Sequence, residues 1–404
     1  MDMRKTKAEQ IVRDGEITRT EKGWLVPSQK GRKTYSVERS GEILTCTCPD
    51  FELRRLPCKH VLAVQIITLK WFDSKGRKIL EVKRVSYPQN WTAYNTAQIN
   101  EKDLFMKLLA DLCENVEEEI IPLGRAGRHG LPRKDEVFAS ALKVYTTFSL
   151  RRFISDMRLA KERNFVSAVC SYSSVSNYMR DPKLTPILHE LITLSAMPLR
   201  SVETKFAIDS SGLRTSKFTE YFVNKYNAQR EHHWVKLHVC TGTQTNVITA
   251  VEVDAEEGNF EADSPAFIPL SKATYESGFQ IKEMSADKAY LSRDNIAYID
   301  SIGGVPYIPF KNNMVSKPKG KGYIWTKMYN FFLYNREEFL QHYHLRSNVE
   351  STFNMLKAKF IDLVRSKDKV AQVNETLLKV LCHNIVVLIH EMNELGIEPN
   401  FLGV

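Results

Sequence analysis

Between residues 18 and 37, apolar and polar positions fall in short runs, Trp24-Leu25-Val26 and Thr34-Tyr35-Ser36-Val37, broken by Gly and Ser-Gln-Lys-Gly turns. Runs of this kind predict strands. A further strand is expected over 42–45, just ahead of a cysteine cluster, and an apolar helical pattern follows over 60–71. Residues 1–75 therefore read as a small β-β-α module, and 76–100, polar and containing Pro88, as a linker. Asn100 is expected to cap a helix over 101–119. A Gly- and Arg-rich loop at 123–134 leads into a second helical region that runs to about residue 199. It contains patterns over 136–147 and 150–163, the latter capped by Ser149, and a short one starting at Ser173. From Phe206 the period returns to that of strands, at 206–208, 234–240, 246–253 and 280–284, before two helical patterns at about 336–360 and 374–395. The most apolar stretch, 377–389, is interrupted by Lys379, His383 and Asn384 and falls short of the roughly 20 residues a bilayer span needs. It reads as a buried helix, and no membrane partner is expected.

The 404 residues, 43% hydrophobic and 26% charged, suit a globular chain of two or three domains at about 150 residues each. Four regions are expected: 1–75, the linker 76–100, a basic helical region 101–200, and a mixed α/β region 201–395. Lys and Arg exceed Asp and Glu by 57 to 48, a net +9 that favours a polyanionic partner. The excess is local: residues 122–164 hold ten basic and four acidic residues, and 311–369 hold twelve and five. Residues 1–15 mix Lys, Arg, Glu and Asp with no apolar core, so neither a signal peptide nor a targeting helix is expected. An odd seven cysteines, three of them between positions 46 and 58, argue for a reducing compartment and against a disulfide framework.

Cys46-Thr-Cys48, nine intervening residues and Cys58-Lys-His60 supply three thiolates and one imidazole, enough for a closed tetrahedral structural Zn²⁺ site. The pattern, followed by an apolar helix, resembles the SWIM zinc finger over about residues 20–72. Four protein ligands leave no open position, so the ion is expected to hold the fold and do no chemistry.

Two segments read as strands ending in a carboxylate, Phe206-Ala-Ile-Asp209 followed by Ser-Ser-Gly212, and Met284-Ser-Ala-Asp287. A third lies on a helix. At about 100° per residue, with Tyr343 at 0°, Arg346 falls near −60°, Glu350 near −20° and Lys357 near −40°. All four share one stripe, and Val349, Phe353, Leu356 and Phe360 share an adjoining apolar one. Spacing alone leaves open an ordinary solvated Arg-Glu pair.

Tyr343-x2-Arg346-x3-Glu350-x6-Lys357 is similar to the Tyr-Arg-Glu-Lys signature of insertion-sequence transposases of the DDE type. The segments around Asp209 and Asp287 resemble those around that family's two aspartates. The likeness extends over about 200–392. It implies an RNase H-like core with Asp209, Asp287 and Glu350 as catalytic acids, which the strand order read from periodicity agrees with; Asp254 and Asp263 are lower-ranked rivals for the second acid. It also implies metal-dependent cleavage at element ends and strand transfer by 3′-OH attack. Three converging carboxylates call for hard cations, Mg²⁺ or Mn²⁺, expected as a pair. Arg346 and Lys357 read as phosphate contacts and Tyr343 as a further contact to the element end.

The implied partner is double-stranded DNA, at transposon ends and target, bound by a homodimer or larger assembly in the cytoplasm of a prokaryotic cell. The helical region permits a helix-turn-helix reading with residues 173–180 in the major groove, and equally a plain linking bundle. Lys311, Lys317, Lys319, Lys321 and Lys327 read as a mobile basic stretch. A nuclease of the same fold that cuts without joining, and a non-catalytic zinc-dependent DNA-binding protein, are the alternatives.

Overall fold

The computed structural model describes residues 7–8, 10–12, 17–20, 23–29, 33–40, 43–54, 57–69, 90–118, 130–215, 234–255, 263–311 and 322–401. They fall in two compact units, Met1–Gln89 and Asn90–Val404.

The first unit is a four-stranded antiparallel sheet in the order β1 (Thr18–Thr20), β2 (Gly23–Pro27), β3 (Thr34–Ser40) and β4 (Ile43–Cys46), followed by helices α1 (Pro49–Arg54) and α2 (Lys59–Leu69). Val26 and Val37 on the sheet meet Phe51, Val61 and Val64 of the helices in one buried cluster that also takes in the three cysteines. Beyond the expected β-β-α pattern there is an extra edge strand and an extra short helix. β1 is exposed throughout and so carries no hydrophobic alternation to read. Helix α1 lies between the two ligand pairs, with proline in its first position and Asp50 and Glu52 in its first turn, as the helix N-terminus favours. The expected end of α2 at residue 71 lies outside the described residues.

The second unit opens with helix α3, Trp91–Cys113, which starts ten residues ahead of the expected position. Asn90, not Asn100, is the cap: its side chain accepts from Ala93 N at 3.1 Å, while Asn100 lies inside the helix and donates to Thr96 O. The first turns bury only Ala97, so they have no apolar stripe, and residues 91–100 of the expected linker are helix. Helices α4 (Arg133–Thr146), α5 (Leu150–Glu162), α6 (Tyr172–Tyr178) and α7 (Leu184–Ala196) follow.

Five strands form the central sheet, ordered β7-β6-β5-β8-β9, from β5 (Lys205–Arg214), β6 (Trp234–Gly242), β7 (Ile248–Asp254), β8 (Glu283–Ala286) and β9 (Val305–Tyr307). β5, β6 and β7 pair antiparallel, while β8 and β9 extend the sheet in parallel from β5. Helices α8 (Phe267–Glu276), α9 (Arg293–Ser301) and α10 (Gly322–Tyr334) were not separable from loop by periodicity, nor was the three-residue β9. Lys327 sits exposed on α10, not in an irregular stretch, while Lys317, Lys319 and Lys321 lie outside the described residues. The helix expected over 336–360 is two, α11 (Arg336–Tyr343) and α12 (Ser347–Phe360), joined by a 3₁₀ turn at His344–Arg346. No proline or glycine marks that break.

The last helix, α13 (Lys369–Leu395), packs against α3, α4 and α7 and also against β6 and β7. It is long and apolar enough to cross a bilayer, but 89% of its apolar window is packed inside the fold. The helical region and the sheet therefore share one core, and residue 200 is not a boundary between compact units. One sheet face lies against α12, where Thr241 meets Thr352 at 3.3 Å, and the other lies against α8, where Thr249 meets Thr274 at 2.8 Å.

Candidate functional site

In the first unit, β4 ends on Cys46, Cys48 follows before α1, and Cys58 and His60 sit at the start of α2. The hairpin end and the helix start bring one donor atom from each within 4.8 Å of the others, all four residues buried. His60 turns Nδ1 to the thiols, 3.9 Å from Cys46 Sγ and from Cys58 Sγ. Its Nε2 is buried without a hydrogen-bond partner among the described residues. Cys46 sharing its proton, with a smaller contribution from His60, holds the Cys58 thiol well below the usual thiol range. Three cysteine sulfurs and an imidazole gathered in a buried pocket are a donor set that fits Zn²⁺. Lys59 donates to Gln29 at 2.9 Å, tying the helix start to the end of β2.

The second cluster is built on the central sheet. β5 and β8 run parallel with Ile208 opposite Ala286, so Asp209 and Asp287, the next residues, leave adjacent strands on one face. β5 does not stop at Asp209: it continues through Ser210, Ser211 and Gly212 to Arg214, paired with β6 throughout. The strand expected to end at Asp209 thus runs on, and at Gly212 the small residue serves close packing. A Cβ on Gly212 would come within 2.9 Å of the Trp234 ring.

Above this face the 3₁₀ turn delivers Arg346, whose guanidinium donates to Asp209 Oδ2 and, at 2.8 Å, to Glu350 Oε1 on α12. Asp209, on β5, and Glu350, on the helix, are thus held by one fork. Burial raises the Asp209 carboxyl above its ordinary range; the Ser210 N–H and Arg346 oppose this, and Asp287 and Glu350 add to it. The two acids therefore lie close enough to be felt as like charges. Half-buried Tyr343 ends α11 one turn ahead of Arg346, and burial raises its hydroxyl. Lys357, two turns beyond Glu350, donates to Ser211 Oγ at 2.6 Å, and burial lowers its ammonium. Val349, Phe353, Leu356 and Phe360 are buried beneath α12.

All six expected residues of this cluster thus lie around one face of β5 and the end of β8. The opposite face carries a second polar group. Ser210 Oγ donates to Asp263 at 3.2 Å, Lys236 Nζ pairs with Asp263 at 2.7 Å, and His238 Nδ1 stands 3.4 Å from the Tyr290 hydroxyl. Asp254, the other rival, ends β7 opposite Lys236. Ser211 and the Ser210-Asp263-Lys236 group escaped the sequence reading. Strand alternation holds the missing signal: with 206–212 taken as one strand, Ser211 shares the Asp209 face and Ser210 takes the other.

Residues 200–385 match the family model of the transposase DDE domain. Residues 34–65 match that of the SWIM zinc finger, which spans all four clustered ligands. The chain carries a DDE transposase domain and a SWIM zinc finger. The SWIM match together with the Cys₃His cluster supports a structural zinc, and the DDE domain supports a transposase function. Among solved structures, the cryo-EM structure of a piggyBac transposase synaptic complex with hairpin DNA aligns over 74% of this chain and 74% of that one. The identity is 11% and the TM-score 0.33, too distant a likeness to carry an argument about this DDE protein.

Proposed function

We propose that this protein is a metal-dependent DNA transposase that nicks element ends and joins them to target DNA, with Asp209, Asp287 and Glu350 as its catalytic acids. The observation that carries the reading is the single fork of Arg346 on Asp209 and Glu350, with Asp287 beside them in strand register. Three acids gathered on one face, one of them more than half exposed, form an oxygen-rich, solvent-reachable set suited to hard cations. The sheet order, with acids on β5, just after β8 and on a following helix, supports an RNase H-like core.

Asp209, Asp287 and Glu350 would hold Mg²⁺ or Mn²⁺, which when bound supplies Lewis-acid activation of an attacking oxygen and stabilises the leaving 3′ oxygen. Asp209, tied to Glu350 through Arg346 and beside Asp287 in strand register, would be the ligand set between the other two. Arg346 neutralises two carboxylates, and its donors match a phosphate equally well, so it orients the scissile phosphodiester against the acids. Lys357 lies farther along α12 and contacts a neighbouring phosphate; Tyr343 braces the guanidinium. Water as nucleophile gives the nick, and the freed 3′-OH then attacks the target, with no covalent enzyme intermediate. The basic helices α4 and α5 engage flanking duplex, and pairing two ends asks for at least two copies.

The test uses labelled element-end DNA, Mg²⁺ and a target plasmid with the wild-type chain, Asp209→Asn and Glu350→Gln. Joined product that disappears in both variants supports the reading. Nicking without joining makes the protein a nuclease, and full activity in the variants removes the site assignment.

A further inference from the structure

The turn between α4 and α5 is built to hold an aromatic ring in the open. Thr147 adopts the left-handed conformation, φ 55°, and Arg365 from the loop after α12 donates to Thr147 O at 2.6 Å. Between them Phe148 is left 45% exposed. Across from it, Ile361 has φ 64° and ψ 138°, a region that β-branched residues avoid, and its carbonyl is held by the buried Lys379 ammonium at 2.8 Å. Strained backbone of this kind persists only where the surroundings over-determine it, and it gathers at binding sites.

Thr147, Phe148 and Ile361 line one cavity of about 340 Å³, the size that takes a nucleotide-sized ligand. Its rim is basic: Lys143, Arg180, Arg365 and Lys367 line it, and the one acid there, Glu375, is already used by the Arg365 and Ser366 backbone N–H groups. Ser149, at the head of α5, also lines the cavity and makes no side-chain cap hydrogen bond. A neighbouring groove shares Phe148 and is lined by Arg151, Arg152, Arg158 and Tyr172. There Arg151 lies over the 46% exposed Tyr172 ring, 5.4 Å from its centre.

Exposed rings set among arginines are how single strands are gripped, bases stacking on the rings while cations follow the backbone. We propose that this cavity and groove bind unpaired DNA, with one base stacked on Phe148 and its phosphates on Arg151, Arg158 and Arg365. The cavity adjoins the end of α12, whose ten residues beyond Glu350 span about 15 Å, so a strand frayed at the acidic centre reaches it within a few nucleotides. This rests on the DNA-acting reading above and adds a partner state, the unpaired strand, that duplex cutting does not require.

The zinc-loaded full chain is titrated, by fluorescence anisotropy, into a labelled thymidine strand of about 15 nucleotides, the upper size of a single-strand site, and into a duplex of equal length. Phe148→Ala is expected to weaken strand binding by roughly fivefold to a hundredfold, the worth of one base stack, with less than about twofold change on duplex. Phe148→Trp restores it, and since the ring is exposed neither variant threatens folding. Equal effects on strand and duplex, no effect on either, or tighter binding of an RNA strand overturns the proposal. A chain that binds no DNA takes the transposase reading down as well, whereas Asp209-dependent cleavage with unaltered strand binding in Phe148→Ala removes this cavity alone.

Discussion

Asp209 and Asp287 stand one residue past the Ile208–Ala286 pair on neighbouring parallel strands, so the sheet's backbone, not side-chain reach, fixes their spacing. Strands so paired lie about 4.8 Å apart, close enough for two carboxylates to repel unless cations neutralise them. Asp209→Asn is expected to cut cleavage and joining by at least about a thousandfold, near 4 kcal/mol of barrier. Mg²⁺ should raise the melting temperature of the wild type and leave that of the variant unmoved. Calorimetry with and without the ion, beside the cleavage assay, reads both effects.

Zinc removal should act on one unit only. The ligands belong to Met1–Gln89, whose buried cluster is small and includes the three cysteines themselves. Chelation or Cys58→Ser is expected to abolish a low-temperature calorimetric transition and leave the main one in place. A single transition lost as a whole would mean that the second unit needs the metal too.

Asn384, fully buried on α13, accepts from Ile248 N and donates to Ile192 O, Ser195 Oγ and Ile248 O. Asn384→Leu strands those backbone groups without partners and is expected to cost about 3–5 kcal/mol. Denaturant unfolding of the second unit measures it, and a loss below about 1 kcal/mol would show that the stitch is replaceable.

Burial lowers the Lys379 ammonium to about 8, against about 10.4 in an unfolded chain. Below pH 8 both states carry the proton and the full cost of burying the charge, on the order of 3 kcal/mol, is present. Between pH 8 and about 10.4 the unfolded state binds more protons, so this group makes stability rise with pH. The slope of melting temperature against pH over that window should be more positive for wild type than for Lys379→Met. Identical slopes would mean that the buried amine is not perturbed.

The zinc ligands were legible because metal chemistry demands particular residue types at close spacing, whereas Asp209, Asp287 and Glu350 were singled out by the family resemblance, since spacing alone left an ordinary solvated pair open. Asn90 as a cap was not legible, since the first turns of α3 bury a single alanine and show no stripe. The continuation of β5 through Ser210-Ser211-Gly212 was hidden because small polar residues signal turns; only the Trp234 ring, about two dozen residues away, explains them. Phe148 drew no notice as one phenylalanine among the chain's 20. What sets it apart is the Arg365 clamp, a contact spanning 217 positions. Local pattern carries the zinc ligands; pairing across the sheet and contacts from α12 and α13 carry what it could not.

Because α13 packs on α3, α4 and α7 as well as on β6 and β7, the smallest exchangeable part of the second unit is discontinuous in sequence. A chimera that took residues 101–200 from a relative would lay a foreign helical surface on a native C-terminal helix, and would fold only if 369–395 travelled with it. On the DNA-binding proposal, new preferences are therefore gained by changing groove residues such as Arg151 and Arg158 in place, and not by shuffling the helical region as a block.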